Sequence, residues 1–183
     1  MWTIAAAVTL TACGGGDGSD GGGAEETVTP QEYASDVCGA LDGWVTASRD
    51  RAGSLTGALN PTASAESRRD VLAGYIDGLI EDTEALIGDV RTAGVPDVEG
   101  GEQIAGQIVD AFDTVKTELE QTRGEVDALP TDDPAAFTAA ATQLGTSIQT
   151  SLTAAGTSVG GISEPTLNRA FAGEPACSGL GGA

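Results

Sequence analysis

Between Thr29 and Gly161, proline and glycine punctuate the chain into four long stretches whose apolar residues recur every three or four positions. That spacing puts the apolar side chains on one face of a helix, and no convincing run alternates as a strand does. The first stretch opens with Thr29-Pro30-Gln31-Glu32, a capping box with Pro at the first helical position. It carries Val37, Leu41, Trp44, Val45, Ser48, Ala52, Leu55 and Leu59, and Asn60-Pro61 stops it. The second runs from about Ser64 to Ala93 on Leu72, Ile76, Leu79, Thr83, Leu86 and Val90, flanked by Val71, Tyr75, Ile80 and Ile87. Gly94 and Pro96 end it. The third is expected to begin after Asp97 as its cap and to be firm from Glu102. Its stripe is Ile104, Ile108, Ala111, Phe112, Val115, Leu119, Thr122, Val126 and Leu129, closed by Pro130. The fourth starts at Asp133-Pro134, cap then Pro, and shows Phe137, Ala141, Leu144, Ile148, Leu152, Ala155 and Val159 before Gly160-Gly161. A short segment from Pro165 to Ala172 offers Leu167 and Phe171 for docking.

Four amphipathic helices joined by short turns predict an all-α fold, an antiparallel up-down-up-down four-helix bundle with a short C-terminal helical segment. The chain of 183 residues is long enough for one domain with a real core. Aromatics are only 4% of residues, so that core must come from Leu, Ile, Val and Ala. One lysine against seven arginines, with heavy use of Ala, Gly and Thr, suggests a high-GC, actinobacterial genome.

The N-terminal segment has a different character. Residues 2–12 form a short apolar run ending in Leu10-Thr11-Ala12-Cys13. This resembles the lipobox of bacterial lipoproteins, in which the cysteine thiol is alkylated by a diacylglyceryl group and signal peptidase II cleaves before it. The run is too short to span a bilayer as a helix, as expected of a secretory signal. No Lys or Arg precedes it, which predicts that the true start lies further upstream. After Cys13 comes Gly-Gly-Gly-Asp-Gly-Ser-Asp-Gly-Gly-Gly, read as a flexible tether that would span roughly 20–25 Å. The expected organisation is therefore a signal peptide at 1–12, a lipidated Cys13 and tether at 13–29, and an extracytoplasmic domain at 30–183 anchored to the cell membrane by acyl chains.

With Cys13 assigned to lipid, Cys38 and Cys177 remain, and an exported protein with two cysteines most simply joins them. The fold agrees, because three chain reversals return the fourth helix to the start of the first, within reach of the C-terminal segment. Small lipoproteins and secreted proteins of actinomycetes often share this layout. The chain resembles that uncharacterised family in Trp44 of the first helix, in the turn Val95-Pro96-Asp97-Val98-Glu99-Gly100-Gly101, and in Arg169-Ala170-Phe171 followed by Cys177. The resemblance implies a helical fold and secretion and no mechanism.

Charge and composition narrow the chemistry. The formal net charge is −20, with no charged residue in 1–13, so nucleic acid and anionic lipid headgroups should repel the mature domain. There is no histidine, which removes Ser-His-Asp and Cys-His catalysis and the Glu-x-x-His sites of di-iron bundles. Gly156-Thr157-Ser158-Val159-Gly160 matches G-x-S-x-G but lies in a helix rather than on a strand-to-helix elbow. Acidic neighbours such as Asp17/Asp20, Glu81/Asp82 and Asp132/Asp133 do not have calcium-loop spacing, and no cofactor or metal site is expected. Lys116 is expected to pair with Asp113 and Glu120, and Arg68 and Arg69 with Glu66 or Asp70.

One element departs from the rest. From Pro134 to Ser163 there is no charged residue, while the third helix is strongly acidic. An uncharged face of Thr, Ser, Gln and Gly suits contact with a partner, and Thr146, Gln149, Thr153 and Thr157 are its expected contact residues. The functional expectation is a non-enzymatic, lipid-anchored module binding an envelope protein or glycan. The alternative is an extracytoplasmic carrier of a small ligand or lipid, with a pocket inside the bundle.

Overall fold

The computed structural model describes residues 26–58 and 62–178, and the side chains of 56–57, 151–152 and 154–160 lie outside the described set. The signal segment, Cys13, the proposed tether up to Glu25, and Leu59-Asn60-Pro61 therefore fall outside it. The described chain is mostly helical. Its helices are α1 (Pro30–Ala58), α2 (Ala65–Thr92), α3 (Gly101–Asp127), α4 (Pro134–Gly160), α5 (Pro165–Gly173) and α6 (Pro175–Ser178).

Local chemistry accounts for most of the helix starts. Thr29 donates from its backbone N and Oγ1 to Glu32 Oε2 at 3.1 and 2.8 Å, and Glu32 N donates back to Thr29 Oγ1 at 3.2 Å. This reciprocal box satisfies first-turn donors of α1 that have no partner within the helix. Ser64 Oγ accepts from Ser67 N at 3.1 Å to open α2, and Asp133 Oδ1 accepts from Ala135 N and Ala136 N at 2.9 and 3.1 Å to open α4. Glu164 caps α5 through Leu167 N, with Pro165 next in the chain.

The start of α3 differs from the sequence expectation. Its cap is Gly100, at φ 73°, and not Asp97. The reason is a contact that helical periodicity does not encode. Thr27–Val28 (β1) pairs in parallel with Val95–Pro96 (β2). Val95 N donates to Glu26 O at 2.9 Å and Asp97 N to Val28 O at 2.8 Å. With 95–97 held in this ladder, the chain needs the turn through Val98 and Gly100 before it can enter a helix. Residues 26–29, expected in the tether, thus belong to the folded domain.

Two glycines make this junction possible. Gly94 has φ 78°, and a Cβ there would lie 2.3 Å from Glu26 O. A Cβ on Gly101 would lie 2.1 Å from Pro96 O. Both obstacles are backbone and cannot swing away. Gly94→Ala is expected to destabilise the domain by about 1–3 kcal/mol, from the left-handed conformation together with the displaced ladder. Faster hydrogen exchange at Val95 and Asp97 with a lowered melting temperature would bear this out; unchanged exchange at both would refute it.

The core has two parts. One cluster joins Tyr33 and Val37 of α1, Leu86, Ile87 and Val90 of α2, Ala105, Ile108 and Phe112 of α3, Leu167 of α5, and Ile162. The other joins Ile76 and Leu79 of α2, Val115, Leu119 and Val126 of α3, and Phe137 and Leu144 of α4. α1 packs on α2, α2 on α3, and α3 on α4, while α5 and α6 pack on α1. Trp44 Nε1 donates to Thr83 Oγ1 at 3.2 Å, and Thr83 Oγ1 donates to Leu79 O at 2.7 Å, so the fully buried Thr83 is satisfied on both sides. The α1 stripe loses burial after Cys38: Leu41, Trp44, Val45, Ser48 and Leu55 are half-buried and Ala52 is exposed. Cys38 and Cys177 form a disulfide across a sequence separation of 139, with Cα atoms 5.1 Å apart.

Candidate contact face

The candidate face lies on α4, and the helix itself is legible in residue chemistry: a cap at Asp133, Pro134 at the first position, then Ala, Thr, Gln and Leu without a charge. Phe137 and Leu144 are buried against α2 and α3, and Ala141 and Ile148 are half-buried beside them. Their spacing turns Thr146, Gln149 and Thr153 outward, and all three are exposed. The side chain of Thr157 lies outside the described residues, as do those of Leu152, Ala155 and Val159.

A feature the composition did not bring out is a ladder of threonine hydroxyls along this helix. Thr138, Thr142, Thr146 and Thr150 donate to the carbonyls of Pro134, Thr138, Thr142 and Thr146 at 2.9, 2.8, 3.1 and 3.0 Å. Thr153 does the same to Gln149 O at 2.8 Å. Each hydroxyl proton is turned back onto the helix, so the face presents methyl groups and oxygen lone pairs. The sequence signal was the repeat of Thr at every fourth position from 138 to 150.

The rest of the surface is acidic, and four of its eight cations are paired with acids across helices. Arg51 crosses to Asp82, with Nη2 donating to Oδ1 at 2.9 Å, and its guanidinium occupies the space beside Gly78 that a Cβ would fill. Arg91 meets Asp113 at 2.9 Å, and Arg123 meets Asp77 at 2.8 Å. Lys116 lies 3.1 Å from Glu84 and 3.9 Å from Glu120; Asp113, its other expected partner, is taken by Arg91. The hydrogen bond to Glu84 and its nearby charge raise the Lys116 pKa above the usual lysine range. Arg69 pairs with Asp70 at 3.1 Å as expected, whereas the Arg68 guanidinium sits over the Phe137 ring, 4.7 Å from its centroid. These cross-helix pairs join residues far apart in sequence, so helical spacing alone could not reveal them.

Of the acidic neighbours, Asp82 is the Arg51 partner, Asp133 is the α4 cap, and Asp17/Asp20 lie outside the described residues. Among the described residues no three His, Cys, Asp or Glu side chains are grouped to hold a metal ion, and no helix is long and apolar enough to cross a membrane. A shallow groove between α1 and α2 is lined by Asp50, Arg51, Ser54, Leu55, Ala58, Val71 and Tyr75. Burial there raises the Tyr75 pKa.

Glu164 has its pKa lowered from 4.5, first by the hydrogen bond it accepts from Leu167 N–H. Glu32 is lowered too, first by the Thr29 hydroxyl and then by the Thr29 backbone. A carboxylate lowered on folding stabilises the fold at pH above its unfolded value, and that contribution is lost as pH falls through the folded value. The α5 cap should therefore hold at neutral pH and weaken below 4.5. Exchange at Leu167 measured against pH, after correction for intrinsic rates, should show this loss of protection, and Glu164→Gln should flatten the profile. An identical profile in the variant would refute the cap's role.

Compared with known proteins, the chain matches no family model, no curated protein sequence and no solved structure.

Proposed function

We propose that this chain is a lipid-anchored cell-envelope protein of actinobacterial type, whose helical domain is a non-enzymatic module that binds an envelope protein or glycan through the outer face of α4. The observation that carries the reading is the exposed, uncharged surface at Thr146, Gln149 and Thr153 on a chain of net charge −20. A basic partner would be drawn to the acidic helices, whereas a neutral face selects a partner by shape and packing. The anchoring part of the reading is supported by Leu10-Thr11-Ala12-Cys13, with Cys13 as the lipid attachment site, and by the Cys38–Cys177 bridge, which suits an oxidising compartment outside the cytoplasm.

The same reading takes α1–α4 as an antiparallel up-down-up-down bundle. Its support is the order of the cross-helix pairs. Arg91, Glu84 and Asp77, descending α2, meet Asp113, Lys116 and Arg123, ascending α3. The short connections between successive helices point the same way.

Purification from the membranes of the producing organism in mild detergent tests both parts. Mass spectrometry of the N-terminal peptide should find Cys13 acylated, and Cys13→Ser should move the protein to the soluble fraction. A partner that co-purifies with the native chain should be lost with Thr146→Asp or Thr153→Asp while the circular dichroism stays helical. Retention of that partner by both variants would remove α4 as the contact.

A further inference from the structure

The fourth helix is held differently from the first three. α1, α2 and α3 are tied by polar side chains as well as apolar ones: Trp44 donates to Thr83, Arg51 pairs with Asp82, Arg91 with Asp113 and Arg123 with Asp77. No charged residue lies in 134–163, so no ion pair can join α4 to its neighbours. The hydroxyls of Thr138, Thr142, Thr146 and Thr150 are spent on carbonyls of the helix itself. Among the described residues α4 lies along α3 and makes no comparable approach to α1 or α2, although Arg68 reaches it over the Phe137 ring. Of its described side chains Phe137 and Leu144 are buried, whereas α2 buries Ile76, Leu79, Leu86, Ile87 and Val90. Thr, Ser and Gly recur throughout α4, and each is less favourable in a helix than Ala, so its helicity depends on the seam with α3. Both flanks are fixed independently of it. Leu129 belongs to the second core cluster, and Ile162 and Leu167 to the first. Beyond them α5 and α6 pack on α1, where Cys177 is bonded to Cys38. Asp132, Asp133 and Gly161, at the two ends of α4, are exposed.

We propose that α4 opens from the domain as one unit, between Leu129 and Ile162, while α1, α2, α3 and the C-terminal segment stay folded. The first core cluster contains no residue of α4, so this opening leaves it whole. The second keeps its α2–α3 part, in which Ile76 and Leu79 meet Val115, Leu119 and Val126, and loses Phe137 and Leu144. The opened chain remains joined to folded structure at both ends, which limits the entropy it gains and keeps its return a loop closure rather than a refolding of the domain. Elements that open at less than the global free energy are those with few buried apolar contacts, and α4 is such an element. This inference needs neither the acylation of Cys13 nor a partner on the α4 face.

The test is hydrogen exchange of the full, oxidised chain in rising urea below the unfolding transition. Amides in 138–150 should exchange on the order of 100-fold faster than those in 86–90 and 108–112, with a common and shallower urea dependence, since opening α4 exposes less surface than global unfolding. Phe112 lies in the first cluster and stays buried whether α4 is closed or open. Phe112→Ala should therefore speed exchange in 86–90 and 108–112 by on the order of 100-fold and leave 138–150 within about threefold. Ile87→Val, a milder change in the same cluster, should give the same contrast at about fivefold. Exchange in 138–150 that matches α2 and α3 in rate and urea slope would overturn the proposal. So would equal acceleration of all three segments in either variant, or rates in α4 that fall steadily from its ends inward, which is fraying and not opening as a unit.

Discussion

Phe112→Ala lowers the unfolding free energy by about 3–5 kcal/mol, the range for emptying a buried aromatic site. Phe112 is 5% exposed and belongs to the first core cluster. Its ring meets that of Trp44 edge-on at 5.8 Å, and this pair links α1 to α3 through the middle of the domain. The chain has only three phenylalanines, so neighbouring side chains are mostly aliphatic and cannot expand to fill the volume. Trp44 also stays tied through Nε1 to Thr83, which limits how far it can collapse into the cavity. Urea unfolding followed by circular dichroism measures the loss directly. A change below about 1 kcal/mol would mean that the site relaxes freely and that the aromatic pair contributes little.

Reduction of Cys38–Cys177 is the second large perturbation, and it acts mainly on the unfolded chain. The bond closes nearly the whole domain, with a sequence separation of 139. Opening so long a loop restores conformational freedom to the denatured state, about 4–5 kcal/mol on a chain-entropy argument, against about 2–5 kcal/mol lost on removing native bridges from small secreted domains. Denaturation midpoints of the oxidised and reduced chains should separate accordingly. Coincident midpoints would refute the entropic account for this bridge. The effects of Phe112→Ala and reduction should be close to additive, because neither cysteine belongs to the core cluster that holds Phe112.

Much of the fold was legible because its determinants are local. Thr29 with Glu32, Ser64 and Asp133 each mark a helix start, and each acts within three residues of itself. The buried faces of α2 and α3 followed from spacing alone, as Ile76, Leu79, Leu86 and Ile108, Phe112, Leu119 show. What failed was non-local. Asp97 looked like a cap because an acidic residue before an apolar periodic run usually is one. The pairing of β1 with β2 overrode that preference and drew residues 26–29 into the domain. Lys116 has suitable acids on its own helix, yet Glu84 of α2 is nearer, because packing brings the two helix surfaces together. The exposed positions on α4 were legible from the absence of charge between 134 and 163. The threonine hydrogen bonds depend on side-chain rotamers, which composition does not set.

On the export route proposed above, the same bridge bears on the order in which the chain can be oxidised. Cys38 lies early in α1 and Cys177 in the last helix, so an N-terminus-first translocation exposes the first thiol long before its partner. Throughout that interval the thiol nearest to Cys38 along the chain is Cys13. Alkylation of Cys13, as proposed for the anchor, would remove the competitor and leave a single productive pairing. Lipid attachment would then act as a chaperone-like step, and a Cys13→Ser chain would reach the native bridge by the same route, because it too lacks the competing thiol.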